Sequence, residues 1–242
     1  MPTSTPTSAP TLHYIHDPLC GWCYGAEPLV HAARGVVRVV AHAGGMMAGA
    51  ARKRVTPELR QYVMGHDHRI AQASGQHFGQ GYFEGLLRDE SAVLDSEPPI
   101  TAVLAADEVA GAGLDMLARL QRAHYVEGRR IADAAVLKDL AVELGLDVEA
   151  FGRAYERLQG AATQAHIEQS RALLSRVGGR GFPTFVLELD GRFTLIDIGH
   201  YLGQPDAWRE WLTQQVGTQV GFADGAAPGS TPLVCGLDGC TP

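Results

Sequence analysis

The sequence predicts an α/β chain in which one sheet is interrupted by a block of helices. Three observations predict it. Residues 12–43 alternate strand, helix and strand, a βαβ unit. Residues 56–178 carry helical periodicity throughout. Residues 184–216 return to two strands and a last helix. The strand-bearing stretches 11–55 and 179–216 therefore read as one sheet domain, 56–178 as an all-helical insertion, and 217–242 as a flexible tail.

In chain order, Leu12 to His16 is a strand stopped by Asp17-Pro18. Cys20 to Arg34 reads as a helix ending at Gly35, and β-branched Val36 to Ala43 as a buried strand ended by Gly44-Gly45. Thr56-Pro57-Glu58 is a helix start, with a capping hydroxyl, proline at the first position and an acid in the first turn. Leu59, Tyr62, Val63 and Ile70 are expected to form its apolar stripe. One helical run is expected over Ile100–Glu127, a second at Leu137–Leu144 capped by Gly145, and a third after the capping candidate Asp147. A fourth, with Ser170, Leu173, Leu174 and Val177, ends at Gly178-Gly179. Thr184 to Leu189 and Arg192 to Ile198 flank Asp190-Gly191, a two-residue hairpin signal. The last helix starts at Pro205-Asp206, with Trp208, Trp211, Leu212 and Val216 on one face.

Composition removes several function classes. The 242 residues suffice for one large domain or a domain with an insertion. At 45% hydrophobic and 19% charged, the chain is an ordinary globular protein. Its formal charge of −7 disfavours nucleic acid as a partner, because phosphate binding rests on clustered Lys and Arg. No stretch of 18 apolar residues offers a membrane span. Met1 to Pro10 lacks the basic and apolar regions of a secretory signal, so a cytoplasmic protein is expected. The sequence leaves the oligomeric state open.

Cys20-Gly21-Trp22-Cys23 carries the chemistry. A C-x-x-C pair entering a helix after a strand can close a small disulfide ring. The first sulfur sits where unpaired N–H groups and the helix dipole favour an anion, and the thiolate is the nucleophile. Cys20 is expected to attack a substrate disulfide, and Cys23, one turn in and more buried, to resolve the mixed disulfide. Half a zinc site is the alternative, but zinc needs four ligands, and the other close cysteine pair lies far away in the tail.

The run Asp17-Pro18-Leu19-Cys20-Gly21-Trp22-Cys23-Tyr24-Gly25 resembles the active-site segment of the DsbA-like family of the thioredoxin superfamily. Pro28 stands where thioredoxin's helix has its kink proline, and Gly181-Phe182-Pro183-Thr184-Phe185 resembles the family's cis-proline loop. Over residues 11–216 the chain is similar to the FrnE-like branch of predicted protein-disulfide isomerases. The resemblance implies a thioredoxin fold with a helical insertion and a protein disulfide reductase, oxidase or isomerase, acting on protein or small-thiol disulfides without a cofactor or metal. It implies a cis Phe182–Pro183 bond against the disulfide, with Gly21, Trp22, Phe182 and Pro183 around the substrate and Trp22 partly exposed. Two features depart from the pattern. Gly21-Trp22 replaces the Pro-His of the family's oxidants, so strong oxidant character is not carried over. Tyr14 stands where thioredoxin and DsbA carry a buried acid, so that proton relay is not carried over.

Other motifs weigh less. His66-Asp67-His68 looks like a metal pair, but i and i+2 diverge on a helix. Gly44-Gly45-Met46-Met47 is a turn near the site, and residues 75–79 fit no phosphate loop. Cys235 and Cys240 form a C-x4-C pair that could exchange with Cys20–Cys23, clip a metal or stay idle, and some FrnE-like proteins look similar there. Two rival functions are a kappa-class-like isomerase or transferase on small aromatic or glutathione-conjugated substrates, and a non-catalytic chaperone. The former carries Ser where Cys20 stands; the latter would survive Cys20→Ser.

Overall fold

The computed structural model describes residues 9–217 and the strands Val234–Gly236 and Gly239–Thr241. The first half runs β1 (Thr11–His16), α1 (Gly21–Gly25), α2 (Glu27–Ala33), β2 (Arg38–Ala43), β3 (Lys53–Arg54), α3 (Pro57–Ser74), β4 (Val93–Leu94), α4 (Glu97–Ala110) and α5 (Gly113–Tyr125). The second half runs α6 (Ala134–Glu143), α7 (Val148–Leu158), α8 (Ala161–Arg176), β5 (Thr184–Leu189), β6 (Arg192–Ile196) and α9 (Pro205–Gly217), followed by β7 (Val234–Gly236) and β8 (Gly239–Thr241).

The main sheet has the order β2-β1-β5-β6. β1 lies parallel to β2, with Thr11 opposite Arg38, and antiparallel to β5, with Tyr14 opposite Phe185. Leu12, Tyr14, Ile15 and His16 are all buried, as befits a strand covered on both faces. β6 is the exposed edge. Asp190 and Gly191 both take left-handed backbone, with φ of 49° and 76°, which is what a two-residue hairpin needs. On one side α9 packs on α2, where Trp208 is fully buried and its indole Nε1–H donates to Leu29 O at 3.0 Å. No helix among the described residues is long and apolar enough to cross a membrane.

The helices between β2 and β5 form the expected insertion, apart from the two-residue β4 and a π-turn at Gly81–Gly85. α4 packs on α5, α7 and α8, while α3 and α5 reach back to cover α1. Thr56 caps α3 through its hydroxyl, which accepts from Leu59 N at 3.1 Å, and Asp147 caps α7 by accepting from Ala150 N at 2.9 Å.

Four expectations need correction. The helix expected over Cys20–Arg34 is two, broken at Ala26, because Pro28 has no N–H to donate to Tyr24 O and its ring crowds that carbonyl. The strand expected from Val36 begins at Arg38, because the Val36 and Val37 N–H groups bond back to Ala33 O at 2.9 and 3.0 Å. The run over Ile100–Glu127 splits at Gly111, where the Gly111 and Ala112 N–H groups close a Schellman-type stop on Asp107 O and Ala106 O. In α3 the buried face is Asp67, Ile70 and Ser74, and Tyr62 is exposed.

Candidate active site

The turn from β1 into α1 brings Cys20 to the N-cap of α1, with φ −91°, ψ 114° and no capping hydrogen bond from its side chain. Both cysteines are free thiols with 0% exposure. Cys20 Sγ–H donates to the Phe182 carbonyl at 3.4 Å, so the loop before β5 lies directly against the first sulfur. The Phe182–Pro183 bond is cis. Burial pushes the Cys23 thiol well up, the neighbouring Cys20 sulfur adds to this, and the Asp17 backbone N–H pulls the other way. Cys23 is therefore held as a protonated thiol until something removes its proton.

Asp17 anchors this turn. Its Oδ1 accepts from Leu19 N and Ser96 Oγ, both at 2.9 Å, and its Oδ2 from Met46 N at 2.6 Å. Burial raises its carboxyl to about 6, against the pull of those three donors and of Arg171. Asp17 thus ties the cysteine turn to the Gly44–Met47 loop and to the head of α4. Arg171 of α8 clamps the same loop, its guanidinium donating to Gly44 O and Gly45 O, each at 2.7 Å. Gly44 has no room for a side chain: a Cβ there would meet Phe182 Cζ at 2.1 Å.

The insertion closes the site from above. Tyr24 donates to His77 O at 2.8 Å, and Gln76 Nε2–H donates to Tyr24 O at 3.0 Å. The rings of Tyr24 and Tyr125 stack at 4.9 Å, with Phe78 edge-on to both. A Cβ on Gly21 would meet Ile70 Cδ1 at 2.8 Å and Asp67 Oδ1 at 2.9 Å, so α3 rests on the residue between the cysteines. The other oxygen of Asp67 accepts from the Tyr82 hydroxyl at 3.0 Å, and burial raises this carboxyl to about 7.

Of the residues singled out in the sequence, Cys20, Cys23, Gly21, Phe182 and Pro183 come together. Trp22 belongs to α1, but its expected partial exposure is corrected: it is 7% exposed, on a helix that α3 and α5 of the insertion cover. Cys20 is likewise more enclosed than a helix-start position suggested. Cys235 and Cys240 are register partners across β7 and β8, while the rest of the tail lies outside the described residues. His66 and His68 diverge as expected, one bonded to Arg69 and the other tilted on Phe83, and no metal-binding group of three His, Cys, Asp or Glu occurs among the described residues. Tyr14, at the departed position, donates to Cys23 O at 3.2 Å. Sequence reasoning missed Asp17 as an anchor, Arg171 as a clamp and Asp67 as the acid over the turn. Only Asp67 left a trace, lying one turn before buried Ile70. A cavity of about 400 Å³ lies elsewhere, along β2 against α4 and α5 with His16 in its wall.

Two fully buried thiols one helical turn apart, Cys23 held protonated by burial and Cys20 against the carbonyl that precedes the cis proline, form a pair suited to exchange with another disulfide. The fold and site thus define a thiol–disulfide oxidoreductase of the thioredoxin class. The chain belongs to the family of DSBA-like thioredoxin domains, whose family model matches residues 11–197. It is similar to the cytosolic disulfide reductase DsbM from Pseudomonas aeruginosa, at 57% identity and TM-score 0.81, covering 85% of this chain and 98% of that one. A structure of that protein with GSH matches at 55% identity and TM-score 0.80, with the same coverage. A candidate protein disulfide isomerase from Nitrosomonas europaea matches at 27% identity and TM-score 0.72, covering 88% of this chain and all of that one. No curated protein matches the sequence.

Proposed function

We propose that the chain is a disulfide reductase, with Cys20 as the attacking sulfur, Cys23 as the resolving sulfur and a small thiol of the glutathione type as electron source. The observation that carries this is the asymmetry of the pair: Cys23 is held protonated by burial while Cys20 lies against the Phe182 carbonyl. The similarity to a protein described as a cytosolic disulfide reductase, also determined with GSH, supports the direction and a cytoplasmic location. In the reaction, Cys20 thiolate attacks a substrate disulfide, forming a mixed disulfide and releasing one substrate thiolate. Cys23 then loses its proton and attacks Cys20 Sγ, forming the Cys20–Cys23 bond and releasing the second thiolate. Two molecules of small thiol return the two electrons by the reverse exchange. Gly21, Trp22, Phe182 and Pro183 form the substrate wall, with the Phe182 backbone offered to an extended segment. Residues 56–178 act as a lid over the sheet domain 11–55 and 179–216. Partners are protein or small-thiol disulfides, not nucleic acid or membrane.

The test is turnover of a model protein disulfide with glutathione as sole reductant. The expected result is activity in the wild type and none in Cys20→Ser; a Cys20→Ser variant as active as the wild type would overturn the proposal. Cys235 and Cys240, brought into register by β7 and β8, are proposed as an accessory redox pair on the 217–242 segment. Truncation after Gly217 should slow turnover, and unchanged rates would exclude the relay.

A further inference from the structure

Asp67 is a carboxyl in an awkward place. It comes from the insertion, is 4% exposed, and touches the peptide between the two cysteines through Gly21. A buried carboxyl with so few donors is costly as an anion, and an amide or aliphatic side chain would pack there at less expense. Asp17, the other buried acid nearby, differs: three donors saturate it, so it serves as a fixed anchor. Tyr82 supplies the hydrogen bond to Asp67 Oδ2, and Oδ1 stands against Gly21.

We propose that Asp67, clamped by Tyr82, is a positioning residue that balances charge at the redox centre: its carboxyl takes up a proton when Cys20 becomes a thiolate and releases it when Cys20 and Cys23 close into a disulfide. The inference rests on the oxidoreductase reading of the pair and adds a linked proton site to it. Reduction breaks the Cys20–Cys23 bond and delivers two electrons. Cys23 takes one proton and Cys20 is left as an anion. In a dry site a second anion against the peptide that joins the two cysteines is strongly disfavoured, so Asp67 takes a second proton. The site then gains two electrons and two protons and no net charge. Oxidation by a substrate disulfide reverses this, and the Asp67 proton leaves with the electrons.

The groups facing Asp67 allow this assignment. Tyr82, which bonds Asp67, comes from the π-turn; His124 and Tyr125 of α5 pack against the Tyr82 ring; and Gly21, against which Asp67 rests, lies between Cys20 and Cys23. The electrostatic reach of Tyr125 takes in Asp67, Cys20 and Cys23 together. Burial holds the Tyr82 and Tyr125 hydroxyls protonated and lowers His124 to about 3. On α3 itself His66 and His68 turn away toward Arg69 and Phe83. Of Asp67, Tyr82, His124 and Tyr125, Asp67 is the one that burial brings close to neutrality.

The test is the pH dependence of the Cys20–Cys23 reduction potential, equilibrated against glutathione, together with a thiolate absorbance titration of the reduced protein. Asp67→Asn keeps the shape and an oxygen for Tyr82 but cannot titrate. Around neutrality the wild type is expected to take up two protons per two electrons, and Asp67→Asn one. The thiolate titration should fall from two steps to one. Tyr82→Phe removes the donor that favours the ionised carboxyl, so the step should persist and move to higher pH. A merely structural role would change stability and leave all these slopes and steps in place. Coincident curves for wild type and Asp67→Asn would overturn the proposal. Should Asp67→Asn fail to fold, an unmoved step in Tyr82→Phe would do so. A wild type with no reducible Cys20–Cys23 couple would instead sink the parent reading.

Discussion

Cys23 illustrates how a single residue is set by its surroundings. Its thiol is fully enclosed, so burial raises its proton affinity, which fits the resolving role proposed for it. Cys23→Ser removes the resolving sulfur and leaves the first one intact. The expected outcome with glutathione disulfide is a stable adduct on Cys20, seen as a mass increase, with turnover lost; an adduct-free protein would contradict the division of labour. Gly44 is set by contact rather than chemistry. A methyl group there would overlap the Phe182 ring, so Gly44→Ala must push the cis-proline loop off Cys20. Overpacking of this kind costs about 1–3 kcal/mol. Turnover is expected to fall by more than tenfold, which steady-state rates at matched folded fraction would check.

At the scale of elements, the site depends on pieces that meet only in three dimensions. α9 holds α2 through Trp208, which fills the space between them and satisfies Leu29 O. Trp208→Ala would leave a cavity and remove the indole bond to Leu29 O, and such truncations cost about 3–5 kcal/mol. Urea unfolding should show a midpoint lowered by that free energy divided by the slope, with the slope unchanged. Because α2 follows directly from α1, refolded Trp208→Ala protein should also react with alkylating agents at Cys20 faster than the wild type. The arginine pairs on the insertion, such as Arg119 with Glu127 and Glu143, are partly exposed and contribute less.

For the whole molecule, the buried ionisable groups set how stability follows pH. His16 and His124 are lowered to about 3 and His42 to about 4, chiefly by burial, so below their unfolded value of about 6.5 the unfolded chain binds more protons and stability rises with pH. Asp17 and Asp67 are raised to about 6 and 7, so between about 4 and those values the folded chain binds more protons and stability falls with pH. The three imidazoles and two carboxyls oppose each other between about pH 4 and 6, leaving a shallow net rise. Below pH 4 the two carboxyls are protonated in both states and His16 and His124 act alone, joined by surface acids such as Asp115 and Glu143 that arginines hold low. The net difference is about one proton, so the melting temperature should rise gently from pH 4 to 6.5 and drop more steeply below 4. A level curve down to pH 3 would show that the buried imidazoles are not neutral in the folded chain.

Much of this was legible in the sequence, because local rules governed it. The C-x-x-C turn, the proline that breaks the first helix, the hairpin at Asp190-Gly191 and the caps at Thr56 and Asp147 each follow from backbone chemistry within a few residues. The two halves of the sheet, the helical insertion and the pairing of Cys20 with Phe182–Pro183 came from the order of motifs. What tertiary structure alone decided is what lies above the cysteines. Periodicity marks a residue as apolar-facing but does not say which surface it faces, and a charged residue on a buried face breaks the pattern rather than signalling it. The sequence therefore determined the reacting sulfurs. Packing of α3 and α5 onto α1 decided that Trp22 is covered and that Asp67 rests on Gly21, and the Gly44–Met47 loop found its anchors in Asp17, Ser96 and Arg171. Those contacts join residues far apart in the chain, and only the folded surface brings them within bonding distance.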